Sequence, residues 1–172
     1  MRKLLLAAAT AAAFAPLAAQ ATTGYFSHGY GIKAKSMGGV GIALPQDALA
    51  AASNPAGIAW IGNRIDLGAD LFTPDRGASI TGSGAGANGT YDGNDTRSFL
   101  IPEFGYNRTL SPSLTFGVAV YGNGGMNTDY KTNPFTAFGG TGNAGVDLMQ
   151  LFVAPTVAWK SGNHSFGASL NL

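Results

Sequence analysis

Apolar and polar side chains alternate with a period of two residues along much of the chain from residue 64 onward. In the first run, Ile65 and Leu67 fall on one face, while Arg64, Asp66 and Asp70 fall on the other. Because successive side chains of a strand point to opposite sides of a sheet, this alternation predicts strands whose two faces meet different surroundings. The same pattern predicts five strands, over residues 64–71, 99–106, 114–121, 149–159 and 165–172.

The connections between the predicted strands alternate between long and short. Residues 74–97 and 122–145 form long loops rich in glycine and small polar residues, whereas residues 107–113 and 160–164 form short turns. Outer-membrane barrels show this asymmetry, together with aromatic residues near the strand ends. The aromatic residues at such places are Tyr106, Tyr121, Tyr130 and Trp159. A soluble β-sandwich also alternates, but the loop pattern and the long strands favour a transmembrane antiparallel β-barrel with its apolar face toward lipid.

The composition agrees with an exported, all-β protein. The chain has 26 glycines, no cysteine and 11% charged residues, a profile that suits a turn-rich β protein better than a helical enzyme. The formal net charge is +1 and the basic residues are scattered, so nucleic acid is not an expected partner. Without cysteine, no disulfide framework holds the exported chain together.

Residues 1–21 have the three parts of a secretory signal peptide. Arg2 and Lys3 supply the positive start, residues 4–17 the apolar run, and Ala19-Gln20-Ala21 the small-x-small cleavage site. A membrane anchor helix is the alternative, but the apolar run is short for a membrane span. We therefore predict export and cleavage after Ala21.

Residues 22–62 predict a compact N-terminal segment with short helices. Alanine and leucine are strong helix formers, so the run from Asp47 to Ala52 predicts one or two helical turns. Pro55 is expected to end this helix, because the residue before a proline is pushed out of the helical conformation. Glycines at 38–41 invite a phosphate-loop interpretation, but no strand precedes them and no Lys-Ser or Lys-Thr follows, so a turn is the simpler prediction.

No group of side chains in the sequence predicts catalysis, a metal site or a cofactor. His28 and His164 have no carboxylate at a useful spacing. Asp92-Gly-Asn-Asp95 offers oxygen ligands for calcium, but it lacks the rest of an EF-hand loop, so a polar turn is favoured. We therefore expect a protein that is not an enzyme.

Several residues on the predicted inner face of the sheet are apolar, namely Phe99, Ile101 and Phe152. A water-filled porin would line its channel with polar and charged groups, so this lining suits an amphipathic ligand better. In the second long loop, Phe135 and Phe138 either form a hydrophobic patch where a ligand first lands or are buried by neighbouring loops.

The chain resembles the FadL-type outer-membrane transporters of long-chain fatty acids and hydrocarbons. The resemblance rests on the order of its motifs: a signal peptide, GYFSHGYGIKAKSMGG at 24–39, PQDA at 45–48, and then Asn54-Pro55-Ala56-Gly57 before the first strand. The Asn-Pro-Ala triplet, in its place between a glycine-rich segment and the first strand, is the most specific mark. The match extends from Thr22 to Leu172.

The resemblance implies a barrel of fourteen strands with the N-terminal segment folded inside as a hatch. It implies a hydrophobic pocket near the N-terminus, where Phe26 would join the apolar lining, and sideways release through a gap at a kinked third strand. We carry the kink over to a glycine-rich run, and the alternative is that these glycines simply begin the loop. The run is Tyr121, Gly122, Asn123, Gly124 and Gly125.

The motif Asn54, Pro55, Ala56 is expected to anchor the hatch to the wall. In this hypothesis, Asn54 hydrogen bonds to the polar face of the first strand, which carries Arg64, Asp66 and Asp70. The domains expected are a signal peptide over 1–21, the hatch over 22–62 and barrel strands over 63–172.

Only about five strands are predicted here, and so few cannot close a membrane barrel. The resemblance therefore indicates the N-terminal fragment of a longer protein, whose full-length barrel would be monomeric in the outer membrane of a Gram-negative bacterium. The implied partners are a long-chain fatty acid or similar hydrophobic molecule, together with outer-membrane lipid and lipopolysaccharide. The alternative function is that of a structural or adhesive surface barrel without a transport role.

Overall fold

The structure is a computed structural model that describes residues 24–172, and the predicted signal peptide at 1–21 lies outside this range. Strands dominate the described residues, and the helices among them are short. The strands are β1 (Arg64–Phe72), β2 (Gly77–Ile80), β3 (Gly89–Asp92), β4 (Phe99–Thr109), β5 (Leu114–Tyr130), β6 (Ala144–Ser161) and β7 (His164–Ser169). The helices are α1 (Ile32–Ser36) and three 3-10 helices, η1 (Ala48–Ala52), η2 (Pro55–Trp60) and η3 (Thr136–Phe138). None of the helices in this part of the chain is both long and apolar enough to cross a membrane.

Five strands form one antiparallel sheet in the order β1-β4-β5-β6-β7. These are the five strands that the alternation predicts, and β2 and β3 form a separate hairpin within the first long loop. In the described residues, β1 and β7 are the edge strands of the large sheet.

The two faces of the large sheet differ as the alternation predicts. The outer face carries exposed apolar side chains, with Leu67 79% and Leu100 72% exposed on neighbouring strands. On the inner face, Ala119, Ala154 and Ala158 are fully buried. The N-terminal segment (residues 24–62) covers this inner face, with Leu49 of η1 and Ile58 of η2 in the same buried cluster.

Small residues on the inner face let the backbone of the N-terminal segment approach the sheet closely. A Cβ atom on Gly105 of β4 would lie 2.6 Å from the Cβ atom of Ala48, and one on Gly167 of β7 would lie 2.5 Å from the backbone nitrogen of Ala56. Both distances are too short for real Cβ contacts, so larger residues would push the segment off the sheet.

The 3-10 helices η1 and η2 of the N-terminal segment are each capped by the side chain that precedes them. Asp47 accepts a hydrogen bond from the backbone N–H of Leu49 (3.1 Å), and Asn54 accepts one from Ala56 (3.2 Å). The prediction that Pro55 ends the helix is only half right, because Pro55 also begins η2. Proline is favoured at the first helical position, where its missing N–H needs no partner.

β5 and β6 extend further than their alternation predicts, whereas β7 ends earlier, at Ser169. β5 runs on to Tyr130 and β6 begins at Ala144, so the second long loop shrinks to residues 131–143. The interpretation of Gly122 and its neighbours as the start of a loop is therefore wrong. The two strands pair along their whole length, and these backbone pairs hold a glycine-rich run that has little strand propensity of its own.

Candidate functional site at the bulge of β5

The middle of β5 contains a β-bulge. Its register with β6 shifts between Gly122 and Gly124, so Asn123 is an extra residue in the strand. The pairing of β5 with its other neighbour ends just before this point, at Phe104 and Val120. Beyond that pair β4 carries Pro102, which has no N–H to donate to a ladder. A gap in backbone pairing therefore opens between β4 and β5.

The beginning of the N-terminal segment fills this gap as a short added strand. The backbone N–H of Gly125 donates to the carbonyl oxygen of Tyr25 (2.7 Å), and that of Ser27 donates to the carbonyl of Asn123 (3.3 Å). Phe26 and Gly124 form the bridge between these bonds. A Cβ atom on Gly124 would overlap the carbonyl oxygen of Tyr25, so the close approach needs glycine. We call residues 25–27 the strap.

Tyr30 ties the bulge to the N-terminal segment a second time. Its hydroxyl donates to the side-chain oxygen of Asn123 (2.8 Å), and the amide of Asn123 donates to Gln150 on β6 (3.2 Å). The ring of Tyr30 lies 4.5 Å from that of Tyr121, which in turn lies 6.0 Å from Phe152. Burial raises the pKa of Tyr30, and the nearby charge of Lys35 opposes this only in part.

A partly buried group of charged side chains joins α1 to the large sheet. Nζ of Lys35 bonds to Asp70 of β1 and to Glu103 of β4, whose side chain is only 3% exposed. The same oxygen of Glu103 accepts the backbone N–H of Gly31 (3.1 Å). Burial alone would lower the pKa of Lys35, but its hydrogen bonds to the two carboxylates raise it above the ordinary lysine value.

A second polar contact holds η1. The guanidinium of Arg64 binds both oxygens of Asp66 (2.6 and 2.7 Å) and the carbonyl of Gln46 (3.0 Å). Asp66 also accepts the N–H of Ala48 (2.9 Å). The nearby carboxyl of Asp47 is buried and faces the charge of Asp66, and these two effects raise its pKa.

Asn107 of β4 holds the end of the N-terminal segment. This fully buried amide donates to the carbonyl oxygens of Ile58 (3.0 Å) and Gly62 (2.7 Å). The contacts of Lys35, Arg64 and Asn107 therefore attach the N-terminal segment to the large sheet at α1, η1 and η2.

The hydrogen bonds of Asn54 differ from those predicted for it. Its amide donates to the carbonyl of Ile42 (2.8 Å) and its oxygen caps η2, so both bonds stay inside the N-terminal segment. The expectation that it bonds to the first strand is wrong. Pro55 and Ala56 meet the wall instead, through their backbone against Gly167 of β7.

Three of the predicted ligand-binding residues meet at the bulge. Phe26 pairs with Gly124, Ile101 packs its side chain over Gly122, and Phe152 lies opposite Tyr121 in the register. Phe99 lies further out, with its ring 6.3 Å from that of Phe72 and with the guanidinium of Arg76 5.8 Å from its centre.

The remaining residues considered as ligand or metal sites lie in the loops. Phe135 and Phe138 of the η3 loop are 58% and 65% exposed, so neighbouring loops do not bury them. The turn with Asp92 and Asp95 is tied by Asn94, whose amide donates to Asp92 (2.7 Å). Over residues 24–172, no three acidic or histidine residues are grouped to hold a metal ion.

Sequence reasoning missed Lys35, Glu103 and Asn107 as the residues that hold the segment. A signal existed for two of the three: Glu103 and Asn107 share the inner-face parity of their strand with Ile101 and Gly105. A polar group in such a place needs a partner, because burying it unpaired is costly.

Comparison with known protein families identifies the class of protein to which this chain belongs. An antiparallel sheet with an apolar outer face, and a segment packed on its inner face, agrees with an outer-membrane transport protein. Residues 6–172 match the model of the family described as outer membrane protein transport protein (OMPP1/FadL/TodX). A search of curated proteins found no match.

The chain belongs to this outer-membrane transport family. Its mostly β structure with few helices agrees with that membership. The family implies transport of hydrophobic compounds across the outer membrane of Gram-negative bacteria, and its members are transporters rather than enzymes.

Proposed function

We propose that residues 63–172 form the first strands of an outer-membrane barrel, and that residues 22–62 form its hatch after the signal peptide is removed. The exposed apolar outer face and the buried inner face support this arrangement. The edges of β1 and β7 need further strands, because unpaired backbone groups are not tolerated in lipid. In this proposal, such strands complete a monomeric barrel of fourteen, surrounded by outer-membrane lipid and lipopolysaccharide.

The carried compound is a hydrophobic molecule, a long-chain fatty acid or a hydrocarbon. It lands on the exposed rings of Phe135 and Phe138 and then enters the inner face beside Phe99. It reaches the bulge between Phe26, Ile101 and Phe152 and leaves sideways between β4 and β5. Movement is by binding and diffusion, without bond chemistry.

The strap closes the exit between β4 and β5. The proposal rests on the hydrogen bonds that attach the strap to β5. Two backbone hydrogen bonds and the bond from Tyr30 hold it to β5. At about 0.5–1.5 kcal/mol net for each of the three bonds, the attachment is worth roughly 1.5–4.5 kcal/mol. The strap would then be detached in roughly one molecule in ten to one in two thousand, which suits a gate that a ligand can open.

A reversible crosslink tests the exit. Ser27 and Asn123 face each other across the added strand, and the chain has no cysteine of its own. The double variant Ser27→Cys/Asn123→Cys should block uptake of labelled oleate or toluene when oxidised and recover when reduced. The two single variants are the matched controls, since each loses the same side chain without the crosslink.

Uptake that continues at the same rate in the oxidised double variant would contradict release beside the strap. If the wild type itself moves neither compound, the structural or adhesive alternative is the better account.

A further inference from the structure

The outer face of the large sheet carries an arginine at the end where the turns are short. The short turns follow β4 and β6, and the longer connections lie at the opposite end of the sheet. The parity that exposes Leu100 also places Arg108 on the outer face, next to Thr109 at the end of β4. Among the strands described, no other arginine or lysine has this parity, because Arg64 and Lys160 belong to the inner face.

No side chain in the described part of the protein neutralises Arg108. Its own side chain is exposed and has no ion pair, hydrogen bond or ring contact there. Both neighbours of β4 are described, and the acidic side chains of outer-face parity, Asp129 and Asp147, lie beside the longer connections. His164 of β7 can only add positive charge at the short-turn end. Because a guanidinium stays charged, and a charge at an apolar surface is costly without a partner, Arg108 needs an anion from outside these strands.

Aromatic rings lie around Arg108 on the outer face. Phe116 of β5 is its partner in the register, and Tyr106 precedes it on the same face of β4. In the next outer-face row toward the turns, the rings of Trp159 and Phe166 stack at 6.2 Å across β6 and β7. In membrane barrels, aromatic girdles lie at the level of the lipid headgroups. The guanidinium of Arg108 is therefore placed where headgroup phosphates begin.

Asn63 adds a second hydrogen-bond donor beside Arg108. Its side-chain oxygen accepts the backbone N–H of Thr109 (2.6 Å), which holds the Asn63 side chain against the end of β4. The amide nitrogen of Asn63 has no acceptor among the described residues, and the residue is exposed. A guanidinium presents a fork of N–H donors that matches the oxygens of a phosphate, and an amide beside it can bind a further oxygen. The two side chains are therefore suited to bind a phosphate group.

We propose that Arg108 and Asn63 bind the phosphate of an anionic glycerophospholipid, whose acyl chains lie along the apolar outer face. The inference rests on the proposed barrel arrangement, which turns this face toward lipid, but not on transport. Short turns are periplasmic in outer-membrane barrels, so the lipid belongs to the periplasmic leaflet. A headgroup with a net negative charge, such as that of phosphatidylglycerol, is favoured over phosphatidylcholine, because Arg108 repels the choline cation.

Two phospholipids with the same acyl chains test the site. Phosphatidylglycerol and phosphatidylcholine are titrated into the full-length protein in uncharged detergent micelles, and native mass spectrometry counts the lipids that stay bound. We expect phosphatidylglycerol to bind at least about 10-fold more tightly in the wild type, and Arg108→Gln to remove most of this preference. Asn63→Asp keeps the acceptor for Thr109 but replaces the amide donor by a carboxylate, so it should also weaken phosphatidylglycerol binding.

Arg97→Gln is the matched control. Arg97 is likewise exposed and without an ion pair in the described residues, but it lies in the long connection before β4, at the other end of the sheet. Its loss should leave both affinities unchanged. Equal losses in the two arginine variants, unchanged binding in Arg108→Gln, or displacement of the lipid by inorganic phosphate would each overturn the inference and leave the transport proposal intact. A full-length protein that stays in solution without detergent would instead count against the proposed barrel.

Discussion

The contribution of Glu103 to the attachment of the N-terminal segment can be measured by changing this one side chain. Its oxygen receives both Lys35 and the backbone N–H of Gly31. Glu103→Gln keeps the shape and an acceptor for Gly31 but removes the charge that faces Lys35, which still has Asp70. Hydrogen bonds to charged groups are worth about 1.5–3 kcal/mol, so local detachment of α1 should become easier by about that amount.

Amide hydrogen exchange reads this local detachment directly. At about 1.4 kcal/mol for each factor of ten, the Gly31 amide and the α1 amides should exchange roughly 10 to 100 times faster in Glu103→Gln. Glu103→Leu also leaves the Gly31 N–H without its acceptor, so its exchange should rise by roughly a further factor of ten. Asp66→Asn, which disturbs the contact at η1, is the control and should leave α1 unchanged. Unchanged exchange in Glu103→Gln, or an equal effect of Asp66→Asn on α1, would refute this account of the attachment.

Two further predictions concern η1 and η2. Folding raises the pKa of Asp47, so its proton is favoured in the folded state, a stabilisation that is complete below the unfolded pKa and lost as pH rises through the folded pKa. Asp47→Asn keeps a capping side chain, so it should have a higher free energy of unfolding in urea than the wild type at pH 7.5, and the difference should shrink as the pH falls. Asp47→Ala should be about 1 kcal/mol less stable than Asp47→Asn, because the cap is lost. A difference between Asp47→Asn and the wild type that does not change with pH would contradict this account. Ile58→Ala should lower the free energy of unfolding by about 2–5 kcal/mol, because Ile58 is only 1% exposed. The control Ile42→Ala, at a residue that is 69% exposed, should change it by less than about 0.5 kcal/mol. Equal losses in the two variants would show that Ile58 is not part of the core.

The period of two was enough to predict the five main strands and their faces. Leu67 and Leu100 are exposed on the outer face, and Ala119 and Ala154 are buried on the inner one, as their parity requires. The signal is strong because a slip of one residue would turn every side chain to the wrong face.

The strand ends could not be predicted in the same way. The half of β5 after Tyr121 has little strand propensity, and its structure comes from pairing with β6. Likewise, Pro102 looks like an ordinary outer-face residue in the sequence, and only the register of β4 shows that it lies where pairing with β5 ends.

The contacts between the N-terminal segment and the large sheet could not be predicted, because their partners are distant along the chain. Lys35 and Glu103 are separated by 68 positions, and Asn107 and Ile58 by 49. The prediction for Asn54 failed for the opposite reason. Its motif is easy to see in the sequence, but the side-chain oxygen of Asn54 is already used nearby, where it caps η2.

The contacts of η1 and η2 with the sheet also bear on the order in which the protein is assembled. Together the two helices touch all five strands of the large sheet, from β1 to β7. Each of these strands would therefore find a complementary surface on a segment that precedes it in the chain. If the segment is in place before the strands pair, it acts as a template that brings them together.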